Sequence, residues 1–203
     1  MYDKPKDNDQ IEKTISALKA NGMEAFVAKD RIEAKAKVLG MIPTDASVMT
    51  MTSVTLDTLG ISQKINESGK FNSARAKFAT MDPKVDATKM REIGSAPDYT
   101  VGSIHAVTMD GKVIIASNSG SQLPAYAYGA GKVIWVVGTQ KIVQNLDEAF
   151  KRIQEYVLPL ESERANKAYN IKTGSFISKE LIINRETTPG RITIVFVPEK
   201  LGF

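Results

Sequence analysis

The chain has 203 residues, a hydrophobic fraction of 42% and no cysteine. These values fit one packed domain spanning residues 1–203, and they exclude a disulfide framework, a thiolate zinc site, cysteine-ligated iron–sulfur clusters and a cysteine nucleophile. The net charge of +4 arises from 27 basic residues interleaved with 23 acidic ones, and pairs such as Lys35/Lys37 and Arg75/Lys77 read as solvated surface, so no nucleic-acid partner is expected.

The opening Met1-Tyr2-Asp3-Lys4-Pro5-Lys6 is polar and lacks an apolar signal core, and runs such as Val133 to Val137 are far too short to span a bilayer. A cytoplasmic protein without a membrane span is expected. The first predicted helix covers Asp9 to Asn21: Asp9 and Glu12 form a capping box, Ile11, Ile15 and Leu18 form the apolar stripe, and Gly22 is the stop. Met23 to Ala28 follows as a strand. Asp30 and Glu33 repeat the capping pattern ahead of a helix lined by Ile32, Ala36 and Leu39 and ending at Gly40.

Ser47 to Met51 is a second strand and Val54 to Leu59 a short helix closed by Gly60. From Gly60 to Pro97 the pattern weakens. Ile61, Ile65 and Phe71 fit either a helix or a strand, and Asp82 to Ile93 reads as a helix with Pro83 in its first turn. Tyr99 to Thr108 and Lys112 to Ser117 are strands joined through Asp110-Gly111, a turn-forming dipeptide. Lys132 to Gly138 is the most apolar strand and belongs at the centre of a sheet, buried on both faces.

Asn145 and Glu148 cap a helix whose Leu146, Ala149, Ile153 and Val157 share one face and which Pro159 is expected to end. A further helix then runs through Arg164 and Tyr169. Two strands close the chain, Glu180 to Arg185 and Arg191 to Pro198, linked by Thr187-Thr188-Pro189-Gly190. The alternation of Ile192, Ile194 and Phe196 with Arg191, Thr193 and Val195 suggests that one face of the second is more buried. Early strand–helix alternation followed by hairpins predicts an α/β fold: a mixed, largely parallel sheet with flanking helices.

In such sheets ligands bind beyond the carboxyl ends of the strands, and two strand exits there are rich in small polar residues. The first holds Thr52, Ser53 and Thr55, with Thr52 or Ser53 at a helix N-cap. More hydroxyls are present than capping needs. The second holds Ser117, Asn118, Ser119, Gly120, Ser121 and Gln122, a loop able to turn several N–H groups toward one oxyanion. Ordinary capping and an ordinary polar loop are the competing readings.

His105 is the sole histidine. It shares its segment with Ser103 and is the candidate general acid or base, unless it is merely a strand histidine satisfied by backbone. The mixed-charge stretch from Leu158 to Tyr169 reads mainly as surface ion pairs such as Glu163 with Lys167. Arg164 and Lys167 facing an anion or a partner is the other possibility there. No metal-ligand set is present, and no residue pattern names a cofactor.

Six collinear segments resemble the LUD-domain family, the C-type lactate-utilisation proteins. They are Ser53 to Ile61, Val101 to Thr108, Ala116 to Tyr126, Trp135 to Val143, Leu160 to Asn166, and Gly190 to Ile192 continuing through Leu201-Gly202-Phe203. The resemblance implies a fold like the ribose-5-phosphate isomerase, glucosamine-6-phosphate deaminase and CoA-transferase group. It also implies a role in oxidising L-lactate to pyruvate beside separate iron–sulfur subunits, with a small anionic metabolite as ligand; self-association stays open. Those enzymes use a catalytic carboxylate for which Asp57 and Asp98 are unsupported counterparts, so their activities do not carry over. Two alternatives remain: a free-standing enzyme on a phosphorylated or CoA-linked metabolite with His105 as acid or base, and a docking module using the surface from Arg164 to Tyr169.

Overall fold

A computed structural model describes residues 2–203, and its strands form two sheets. In chain order the strands are β1 (Glu24–Val27), β2 (Ser47–Thr50), β3 (Asn72–Ser73), β4 (Tyr99–Gly102), β5 (Ala106–Thr108), β6 (Val113–Ser117), β7 (Lys132–Gly138), β8 (Ile142–Val143), β9 (Lys179–Ile183) and β10 (Ile192–Val197). The larger sheet has the order β1-β10-β7-β4-β2-β3, and every pairing in it is parallel. The smaller has the order β8-β5-β6-β9, with β5 parallel to β8 and antiparallel to β6.

β7 takes the interior place its sequence requires. It pairs with β10 from Val133 opposite Ile192 to Gly138 opposite Val197, and with β4 from Lys132 opposite Tyr99 to Trp135 opposite Gly102. Its side chains serve two cores. Val133, Trp135 and Val137 pack with Ile192, Ile194 and Phe196 on one face, and Ile134 and Val136 with Val195 and Val197 on the other. β10 is therefore buried on both faces rather than one, because β1 and β7 flank it and helices cover both sides.

The helices are α1 (Asn8–Ala20), α2 (Arg31–Gly40), α3 (Val54–Thr58), α4 (Ile61–Glu67), α5 (Ala74–Phe78), α6 (Ala87–Ser95), α7 (Leu146–Arg152) and α8 (Leu158–Tyr169). Ile11 and Leu18 of α1 join the smaller sheet's Val107, Val113 and Ile115 on the Trp135 face, whereas α2, α3 and α4 supply Val38, Leu56, Ile61 and Ile65 to the opposite face. Asp7, not Asp9, caps α1 by accepting the Gln10 N–H at 2.9 Å. Asp30 and Asn145 cap α2 and α7 as expected. α6 begins at Ala87, later than Asp82, because Asp82 and Asp86 bond each other's main chain in a separate turn.

Three further departures have physical causes. The predicted strand from Tyr99 to Thr108 is two strands in different sheets, with the chain turning between Gly102 and Ala106. The last two strands are not neighbours: β9 pairs antiparallel with β6 while β10 enters the parallel sheet. Pro159 does not end its helix. The turn before it, Ile153–Val157, widens to the π form, which accommodates the missing N–H and the crowding of the ring against the preceding turn, and α8 continues to Tyr169. No helix among the described residues is long and apolar enough to cross a membrane.

Candidate functional site

β2, β4 and β7 are adjacent and parallel, so their carboxyl ends open on one side of the larger sheet. The chain leaving each of them, together with the end of β6, the face of α8 and the segment after it, walls a cavity of about 420 Å3. Of the residues expected at a site, all but Gly120 line it: Thr52, Ser53 and Thr55 after β2; Ser103 and His105 after β4; Ser117 at the end of β6 and Asn118, Ser119, Ser121 and Gln122 beyond it. Ser53 and Ser121, distant in sequence, share this space.

Gly120 does not line the cavity. It adopts a φ of +85°, and a Cβ there would lie 2.7 Å from the Lys179 Cδ. The loop also spends N–H groups on itself: Gly120 N–H donates to the Ser117 hydroxyl at 2.8 Å and Ser121 N–H to the Ser119 hydroxyl at 3.3 Å. What it offers the cavity is side chains. At the other exit Ser53 is the N-cap of α3, accepting the Leu56 N–H at 3.4 Å, and the Thr52 hydroxyl accepts from Arg75 Nη2 at 3.2 Å.

The principal residue that sequence reasoning passed over is Lys141, three residues beyond β7. It is 3% exposed, and its Nζ donates to Thr55 Oγ1 at 3.2 Å, Ser103 Oγ at 3.1 Å and the Ile104 carbonyl at 3.0 Å. The two hydroxyls have already committed their own protons, Thr55 to the Leu201 carbonyl at 3.1 Å and Ser103 to the Val136 carbonyl at 2.7 Å. They can only accept from the amine, so the three partners match the three protons of an ammonium group. Against that, burial and the nearby Arg152 cation push the Lys141 pKa well below the ordinary 10.5. No carboxylate lies within ion-pair distance of Lys141 or Arg152 among the described residues.

Arg152 is wholly buried beneath this wall. Its Nη1 donates to the His105 carbonyl, its guanidinium lies 5.4 Å from the Tyr156 ring centroid, and Nε and Nη2 have no hydrogen-bond partner among the described residues. Burial lowers its pKa to about 10. His105 is half-buried beside both cations. Its Nδ1 accepts the Ala116 N–H at 3.1 Å, which assigns the ring proton to Nε2. Burial, with Lys141 and Arg152, pulls its pKa from 6.5 to about 3, so the imidazole is neutral near pH 7 and acts as a fixed N–H donor.

Two more cations reach the wall. Arg75, read from sequence as solvated surface, is instead half-buried: Nε donates to the Thr50 carbonyl at 2.9 Å, and burial lowers its pKa. Arg164 pairs with Glu161 through two bonds of 2.7 and 2.6 Å and lies 5.7 Å from the Tyr169 ring centroid. Lys167 stays on the surface with Glu163 at 2.6 Å. Of the two candidate carboxylates, Asp57 lines the cavity, whereas Asp98 is bonded to Ser47 N–H and hydroxyl at 2.8 and 2.7 Å near the other end of β4.

The lining thus combines donors and cations at Lys141, His105, Arg75 and Arg164 with the carboxylates of Asp57 and Glu161 and the apolar side chains of Ile153, Val157, Tyr169, Ile171, Phe176 and Phe203. A family model described as the LUD domain matches residues 11–197. A crystal structure of a DUF162 family protein from Deinococcus radiodurans has a similar fold, with a TM-score of 0.56 over 93% of this chain and 96% of that one, at 10% sequence identity. No curated protein matches the sequence.

Proposed function

The chain belongs to the LUD-domain family, and from that premise we propose that it is a cytoplasmic binding component of L-lactate oxidation to pyruvate, acting beside separate iron–sulfur subunits. Under this reading the cavity holds the carboxylate of a small anionic metabolite. The observation that carries the reading is Lys141, an amine buried against three acceptors with no carboxylate within ion-pair distance among the described residues. A buried charge is stable when paired, and an anion entering from the cavity supplies the pair.

The remaining groups take consistent parts. The Nε2–H of His105 and the side chains of Asn118 and Gln122 orient the anion, and Arg75 adds attraction at the rim. With its pKa held near 3, His105 is poorly matched to proton transfer at neutral pH, which favours binding over free-standing acid–base catalysis.

Titration calorimetry with L-lactate and pyruvate tests this reading. Saturable binding to the wild type, weakened at least about tenfold in Lys141→Met, is the expected result. Binding that is unchanged in the variant, or absent from the wild type for both acids, would remove the proposal. Co-purification of iron–sulfur subunits with the tagged chain is the expected outcome for the partner part of the reading, and a preparation free of them under native conditions would speak against it.

A further inference from the structure

Tyr169, Ile171 and Phe176 are 62%, 38% and 57% exposed, and all three line the cavity. They belong to the end of α8 and to the segment 170–178, which contains no helix or strand. Main-chain and polar bonds fix that segment: Gly174 N–H to Asn166 Oδ1 at 2.8 Å, Ser175 N–H to Ser162 Oγ at 3.0 Å, and the Ser178 hydroxyl to Asn118 Oδ1 at 3.2 Å. Ile177 packs against the core around Ala106 and Ile153, whereas the Tyr169 and Phe176 side chains stand more than half exposed. They are free to cover something else.

The cavity is also too large for a three-carbon acid. About 420 Å3 lies in the range of roughly 300–1,000 Å3 that encloses drug-sized ligands. The deep donors account for a carboxylate and a neighbouring oxygen. The rest of the lining includes Ile153, Val157, Leu158, Ile171, Phe176 and Phe203, apolar area that an apolar body would remove from water.

We infer that the preferred occupant of this cavity is a 2-hydroxy or 2-oxo acid bearing an aromatic or long apolar side chain, its acid end at Lys141 and His105 and its body between Tyr169, Ile171 and Phe176. The inference rests on the anion-binding reading and narrows it. The body would bury the exposed rings and exclude water from the acid end, which strengthens every charge interaction there.

Calorimetric titration of L-lactate, 3-phenyllactate and 3-phenylpropanol into the wild type and into Phe176→Ala tests it; the half-exposed ring at 176 makes the variant safe for folding. The wild type should bind phenyllactate at least about tenfold more tightly than lactate, and in Phe176→Ala the ratio of the two affinities should collapse toward one. Lactate bound as well as phenyllactate, or a ratio unchanged in the variant, would overturn the aromatic-acid inference and leave the anion site standing. If neither acid binds, or only the uncharged alcohol does, both fail.

Discussion

An amine enclosed beside a second cation keeps its proton only while acceptors outweigh desolvation. At Lys141 three acceptors favour the ammonium, and burial with Arg152 opposes it. A bound carboxylate shifts that balance toward the charged form, so binding should take up protons and weaken as pH rises through the lowered pKa of the free site. Calorimetry in buffers of different ionisation enthalpy measures the uptake, and heats independent of buffer would contradict it. His105 gives the opposite limb. Its native pKa near 3 lies below the unfolded value of 6.5, so the unfolded chain binds the extra proton and stability is lost as pH falls from about 6.5 toward 3. His105→Gln, whose amide oxygen can still accept the Ala116 N–H, should flatten that loss by a few degrees of Tm between pH 6 and 4. Gly102 is constrained by space: a Cβ there would lie 1.7 Å from the Tyr126 hydroxyl. Gly102→Ala should therefore cost on the order of 1–3 kcal/mol and displace Tyr126 from the cavity wall, readable by denaturant unfolding and ligand affinity together. Hydroxyls at strand exits were legible in the sequence because their spacing exceeds what capping needs. Lys141 was not, because only the neighbouring chain from Thr55 and Ser103 reveals its burial.

At the scale of elements, the segment carrying Tyr126 into the wall is held from a distance. Arg191, 7% exposed, donates from Nε to the Ala130 carbonyl at 3.0 Å and from Nη2 to the Ala125 and Tyr126 carbonyls at 3.1 and 3.0 Å, and its Nη1 pairs with Glu186 at 2.7 Å. Arg191→Met removes these donors and the cation paired with the largely buried Glu186 carboxylate, and should cost about 3–5 kcal/mol, measured as a shift in urea midpoint without a change in slope. Where capping and periodicity act within a few residues, as at Asp30, Asn145 and the Lys132–Gly138 strand, the elements could be read directly. Pro159 could not, because its compatibility with a continuing helix depends on the π turn at Ile153–Val157. The break between Gly102 and Ala106 was hidden for a related reason: both halves are apolar, and only the presence of two sheets separates them. Short elements such as Asn72–Ser73 carry too few residues for any period to show.

Across the whole molecule, one arrangement makes the site: parallel β2, β4 and β7 release their chains on the same side, and the smaller sheet with α8 closes over that opening. A crossover topology of this kind places Thr55, Ser103 and Lys141 within hydrogen-bonding distance although 86 positions separate the first from the last. The strand order follows from long-range pairing, which local sequence does not encode. The proposed anion site follows from that arrangement. The most direct test is a crystal structure of the protein grown with saturating 3-phenyllactate. The account predicts its carboxylate beside Lys141 and the His105 Nε2, with the ring between Tyr169 and Phe176. Density for the ligand elsewhere, with this cavity left to solvent, would contradict it.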